Sequence, residues 1–120
     1  MGTIKVTTTI TNLAKSREGY EAEFLVDTGS IDCMAPEGKL KEAGIEVEGK
    51  DVYELANGQP VEYNYGYARV AFMGSETVAQ VIFGPEEAEP ILGVVALENV
   101  GIAVDPVSRT LKRMTAKSLK

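Results

Sequence analysis

The sequence predicts a small, mostly β domain, a closed or folded barrel with one or two short helices. Three observations carry this. Apolar residues recur with period two in several short runs, which is strand spacing. Turn residues interrupt those runs at close intervals. Only residues 36–44 and 94–100 have room for a helix, and each segment runs into a glycine, Gly44 or Gly101. Short strands with so few helices fit a small barrel.

Ile4, Val6, Thr8 and Ile10 alternate with Lys5, Thr7, Thr9 and Thr11, giving a first strand with one dry and one wet face. Residues 12–19 are polar and form a turn. Tyr20–Val26 is a second strand whose end, Phe24-Leu25-Val26, is apolar on both faces, as in a central buried strand. Asp27-Thr28-Gly29-Ser30 then stops it with turn chemistry. Residues 36–44 hold one or two helical turns, with Gly44 as a left-handed cap.

Strand character returns over 46–56. Asn57-Gly58 is the strongest hairpin signal in the chain, because both residue types accept positive φ. Pro60 restricts pairing beyond it, so this hairpin lies at an edge or projects. The returning arm, 61–72, sets Val61, Tyr63, Tyr65 and Tyr67 on one face, where cross-strand packing is their ordinary use. Met73-Gly74-Ser75 turns into a strand over 77–83. A loop over 84–90 leads to Ile91-Leu92-Gly93 and a short helix over 94–100. Residues 102–105 and 110–114 form a last hairpin around Asp105-Pro106-Val107-Ser108, and 115–120 remain as a basic tail.

The 120 residues suit one domain, and 44% hydrophobic with 25% charged residues is ordinary globular composition. Eighteen acidic against 12 basic residues give a net charge of -6, which argues against a phosphate-binding surface and so against nucleic acid. Arg109, Lys112, Arg113, Lys117 and Lys120 make the end of the chain locally basic. A solvated strand and tail accounts for them. No apolar run approaches the ~18 residues of a membrane helix. Met1-Gly2-Thr3-Ile4-Lys5 lacks the layout of a signal peptide, and Val6 stands where a myristoylation signal has Ser or Thr. A cytoplasmic protein with a reduced Cys33 is the expectation.

Composition also removes much of the catalytic menu. There is no His and there is one Cys. A Ser-His-Asp or Cys-His site cannot be built, nor an internal disulfide, nor a Cys/His zinc cage. Acid–base chemistry falls to carboxylates, Lys or Tyr. No metal and no cofactor are expected.

Phe24-Leu25-Val26-Asp27-Thr28-Gly29-Ser30 places a carboxylate where a buried apolar strand meets a glycine turn. A plain turn also fits the tripeptide alone. Three features add to it. The apolar triplet makes the surroundings of Asp27 partly apolar, which raises a carboxyl pKa by desolvation. Ile91-Leu92-Gly93 is a second apolar–apolar–glycine element ahead of a short helix. The Asn57-Gly58 hairpin lies between the two.

Together these elements resemble the retroviral-type (retropepsin-like) aspartic proteases, in the right order and over nearly the whole chain, from Ile4 to Met114. Ile91-Leu92-Gly93-Val94-Val95-Ala96-Leu97 followed by Ile102-Ala103-Val104-Asp105-Pro106 is more similar to the stand-alone cellular relatives than to the viral enzymes. The resemblance implies an acid-protease barrel and an aspartic endopeptidase. Such enzymes use two facing carboxylates that share one proton and a water. Like charges about 3 Å apart cannot both ionise comfortably, and the pair titrates as a unit. One Asp-Thr-Gly per chain therefore implies a two-fold symmetric homodimer, with Asp27 from each subunit on the axis.

Other roles follow from the same resemblance. Thr28 would brace the two active-site loops across the dimer, and Gly29 would let the substrate backbone approach. Ser30 and Asp32 would contact the substrate, a peptide or protein. Ala56, Asn57 and Gly58 would form a flap that closes over it. Ile91 would line a substrate pocket, with Leu92 and Gly93 supporting the loop from below. One departure stands out: Ile31 and Val94 occupy positions where viral enzymes carry an ion pair. A dry contact can replace a buried salt bridge without loss of stability.

Three other readings compete. One is a non-catalytic dimerising or peptide-binding module on the same fold. Another is an aspartyl-phosphate phosphotransferase, which fits poorly because Gly29 stands where a second Asp is usual and strand–helix alternation is missing. The third is an unrelated β-barrel binding protein.

Overall fold

The computed structural model describes residues 3–117 and 119. Met1 and Gly2, on which the signal-peptide and myristoylation expectations bear, lie outside the described residues, as do Ser118 and Lys120 of the basic tail. The chain forms nine strands and two short helices: β1 (Lys5–Thr11), β2 (Tyr20–Val26), β3 (Cys33–Pro36), α1 (Glu37–Glu42), β4 (Gly49–Glu54), β5 (Pro60–Phe72), β6 (Ser75–Gly84), β7 (Ile91–Leu92), α2 (Val94–Asn99), β8 (Ile102–Asp105) and β9 (Thr110–Arg113).

Six strands close into a barrel in the order β1-β2-β7-β3-β6-β5, with β5 returning to β1. Closure removes the free edges that a sheet of this size would otherwise expose. The two-residue β7 is the keystone of the ring. It runs parallel to β2, pairing Leu25 with Ile91 and Val26 with Leu92, and antiparallel to β3 at Met34. On the far side β3 runs parallel to β6.

The barrel interior holds Phe24, Ile10, Leu92, Val70 and Val81, with Leu40 of α1 and Leu97 of α2 sealing its sides. Period two in β1 is realised as expected: Thr8 and Ile10 are buried and Lys5 and Thr7 exposed. Thr8 is the buried polar residue, and its hydroxyl donates to the Val6 carbonyl at 3.1 Å. A donor satisfied in this way carries little burial cost.

The Asn57-Gly58 hairpin forms, though with a different turn. Gly58 has φ of +84°, while Asn57 is not among the residues with positive φ. The Gly58 amide donates to the Leu55 carbonyl at 2.8 Å, the Leu55 amide donates to the Gln59 carbonyl, and the Asn57 side chain accepts from the Gln59 amide. Asn57 thus acts through its carboxamide, and the left-handed position falls on Gly58 alone. The tight two-residue turn with both positions left-handed is instead Met73-Gly74, at φ +51° and +77°, closing β5 onto β6 at Phe72–Ser75. Gly44 and Gly101 both carry positive φ just past their helices, as the cap argument requires.

β5 is long enough to serve three neighbours, β1, β4 and β6. Its residues 69–72 pair with β1, and its 60–65 pair with β4. Pairing with β6 starts only at Tyr65, so β4 and the first turns of β5 leave the barrel as a two-stranded arm. β3 escapes the sequence patterns because it is four residues long, nearly all buried, and ends in proline. The last hairpin, β8–β9, is a separate two-stranded sheet. Arg113 docks it, donating to the Met73 carbonyl at 2.6 Å and the Ser75 hydroxyl at 2.9 Å, and Lys117 donates to the Asn99 carbonyl at 2.8 Å. The end of the chain, expected to be merely solvated, is therefore anchored up to Lys117. Among the described residues no helix is long and apolar enough to cross a membrane.

Candidate active site

β2 delivers Asp27 to the mouth of the barrel. Its last residues are clamped on both sides: the Leu25 amide donates to the Pro90 carbonyl and the Val26 amide to that of Ile4. The Asp27 amide then donates to the Leu92 carbonyl at 3.1 Å, so the carboxylate-bearing residue hangs directly on β7. Beyond it the chain turns at once. The Ser30 amide donates to the Asp27 carbonyl at 3.1 Å, and the Gly29 amide donates to Asp27 Oδ1 at 3.0 Å. The side chain is half-buried, with one carboxylate oxygen fixed by its own loop.

The same loop supports α2. Val94 and Val95 donate their amides to the carbonyls of Ser30 and Ile31 at 2.8 and 3.2 Å. Helix amides that ordinarily lack partners are thus satisfied by the loop after Asp27. This close approach explains the glycine of Ile91-Leu92-Gly93. A Cβ at Gly93 would collide with the carbonyl oxygens of Ile31 and Asp32. Gly29 has a related reason: a Cβ there would lie 3.3 Å from Asp27 Oδ1, tight against the carboxylate.

The expected site residues divide into two groups. Asp27, Gly29, Ser30, Asp32, Leu92 and Gly93 come together around this junction. Ser30 Oγ donates to the Asp32 carbonyl at 2.9 Å, Leu92 is fully buried beneath, and Ile91 is half-buried beside it. Thr28 sits at the exposed tip of the loop, and no side-chain hydrogen bond involves it among the described residues. Ala56, Asn57 and Gly58 form the exposed tip of the arm and make no hydrogen bond to the Asp27 loop. Ile31 stays 68% exposed, so the dry Ile31–Val94 contact is not buried within the single chain. Of the tyrosines, Tyr53 on β4 packs across the strands against Tyr63 on β5, and Tyr65 packs against Tyr67 two residues along the same strand, with ring centres 6.2 and 6.0 Å apart.

Two residues at the site escape the sequence patterns. Gln80 on β6 donates from Nε2 to Asp32 Oδ2 at 3.2 Å and to the Tyr53 hydroxyl at 3.0 Å. The available signal was Gln80 itself, the single polar side chain within Val78-Ala79-Gln80-Val81-Ile82-Phe83. Partial burial pushes the Asp32 carboxyl above its ordinary value; the nearby Tyr53 hydroxyl opposes the shift and the Asp51 charge adds to it. Burial also pushes the neighbouring Cys33 thiol up to about 11, so it packs as a core side chain. Among the described residues no three His, Cys, Asp or Glu side chains are grouped to hold a metal ion.

No protein-family model matches the chain, and no curated protein matches it. The geometry of the site sets what substitutions there do. Two outcomes follow from that geometry. Gly93→Ala should lower stability in urea unfolding by about 3 kcal/mol, the upper end for overpacking, because the obstructing atoms are backbone. Gly74→Ala, where nothing lies within 4 Å of the added Cβ, should lose only about 1 kcal/mol through its positive φ.

Asp32→Asn tests the raised carboxyl. A folded value above the unfolded one of 3.8 means the ionised form is disfavoured by folding. That penalty is absent below the unfolded value, grows as pH rises through the folded value, and is complete at neutrality. Asp32→Asn should therefore be more stable than wild type at about pH 7, with the gap closing at about pH 3. Urea unfolding at both pH values measures it.

Proposed function

We propose that the chain is an aspartic endopeptidase of the retropepsin-like type, active as a homodimer with one Asp27 from each subunit on the two-fold axis. The observation that carries this is the setting of Asp27: half-buried, at the end of a central strand, with one oxygen held by the Gly29 amide and the other end of the group left for chemistry. A carboxylate held this way is preorganised, and only a second such group can supply the acid that the first cannot.

In the assembled pair the ionised Asp27 takes a proton from the shared water. The water oxygen attacks the peptide carbonyl carbon while the protonated Asp27 gives its proton to the carbonyl oxygen. Collapse of the tetrahedral intermediate breaks the C–N bond: the proton taken from water passes to the leaving amine, while the other Asp27, now ionised, takes back a proton from a hydroxyl of the intermediate as its C=O re-forms. Free carboxyl and amino ends result, and the pair returns to one proton. The Gly29 amide holds Oδ1 of the carboxylate through the cycle. Thr28, exposed at the loop tip, is available to brace the partner's loop. The β4–β5 arm supplies the flap, with Ala56, Asn57 and Gly58 at its tip, and Ile91, Ser30 and Asp32 border the cleft. No metal or cofactor enters this route. A cytoplasmic setting belongs to the same reading, with Cys33 kept reduced.

Purified protein should cleave an unstructured polypeptide at mildly acidic pH and sediment at twice the chain mass. Asp27→Asn should lose activity by about 10³-fold or more while still dimerising. Equal cleavage by the variant sinks the assignment, and peptide binding without cleavage by wild type would favour a non-catalytic module.

A further inference from the structure

We propose that Gln80 is a positioning residue that ties the β4–β5 arm to the loop bearing Asp27. This rests on reading that arm as a substrate flap. The pairing registers make the contact unexpected. Tyr53 lies opposite Val61 on β5, whereas Gln80 lies opposite Tyr67, six positions further along the same strand. In a straight strand that separation is roughly 20 Å. The hydrogen bond at 3.0 Å therefore requires the arm to curl back over β6, toward the barrel mouth.

Gln80 is suited to hold it there. Its Nε2 carries two protons, and the two acceptors it meets belong to different parts of the site: the Tyr53 hydroxyl on the arm and Asp32 Oδ2 five residues after Asp27. Asp32 is itself held through Ser30 Oγ and through the Gly93 approach. The chain of contacts thus runs from the arm through one amide to the loop that fixes Asp27. Among the described residues, this is the one side-chain hydrogen bond that joins β4 to any strand other than β5. A two-stranded arm is marginal by itself, so a single tether of this kind sets how often it opens.

Three variants of the full chain test this: Gln80→Leu, which keeps the bulk and removes the donors, Tyr53→Phe, which removes only the hydroxyl, and the double variant. Amide hydrogen exchange over residues 50–63 should accelerate by about fivefold in each single variant, as for loss of one hydrogen bond, with β1, β2 and the β5–β6 pairing unchanged. Since both substitutions remove the same Gln80–Tyr53 bond, and the Asp32 bond that Gln80→Leu also loses does not reach the arm, the double variant should exchange no faster than the faster single one. In peptide cleavage, KM should rise by about fivefold with kcat within about twofold of wild type.

Unchanged exchange in both single variants overturns the tether. So does acceleration spread evenly over the barrel, which would make Gln80 an ordinary core contact. Exchange is read on the free protein, so variants that show the local effect while the wild type cleaves nothing support the tether and overturn the peptidase reading instead.

Discussion

Everything at the barrel mouth depends on one shared set of backbone hydrogen bonds. Asp27 donates to Leu92, and the helix that follows Gly93 donates back to Ser30 and Ile31. The two segments are far apart in sequence, yet neither can keep its geometry alone. The loop after Asp27 has carbonyls that need donors, and α2 begins with amides that need acceptors. Only a residue without a Cβ at position 93 lets them meet. The hydrophobic residues on either side, Phe24 and Leu92, are fully buried and hold the junction rigid. A carboxylate mounted on such a junction would lose little freedom on binding the proposed substrate, which is what preorganisation means energetically.

Much of this was legible in the sequence, for local reasons. Period two located β1, the apolar triplet located the end of β2, and the glycines that follow the two helical segments, Gly44 and Gly101, located the ends of both helices. These are short-range signals. What stayed hidden depended on partners distant in the chain. β3 has no periodicity because it is covered on nearly every side. Gln80 looks like an interruption of an apolar strand until Asp32 and Tyr53 are placed around it. Asn57-Gly58 announced a hairpin correctly, while its turn type was decided by the extra residues between β4 and β5. The docking of Arg113 and Lys117 could not be read at all, since their acceptors are two main-chain carbonyls and the hydroxyl of a turn serine, none with a sequence signature.

The chemistry inherits its economy from composition. Without His, and with Cys33 buried and its thiol held protonated, carboxylates are the practical general bases at mildly acidic pH. One Asp27 cannot act as both base and acid toward the same water, so the proposed mechanism divides the roles between subunits. The exposed Thr28 and Ile31 at the loop tip are the surfaces such a partner would cover. A charge of -6 per chain opposes that association at neutral pH, and acid relieves the repulsion while also supplying the shared proton.

The most direct test mixes wild-type and Asp27→Asn chains in equal amounts, lets subunits exchange, and measures cleavage at constant total concentration. If each site needs two Asp27 carboxylates, only wild-type pairs work. Activity should then fall to about one quarter of that of the pure wild type, the share of such pairs under random assembly. A fall to only about one half would mean that each chain works alone, and would contradict an active site built from two copies of Asp27.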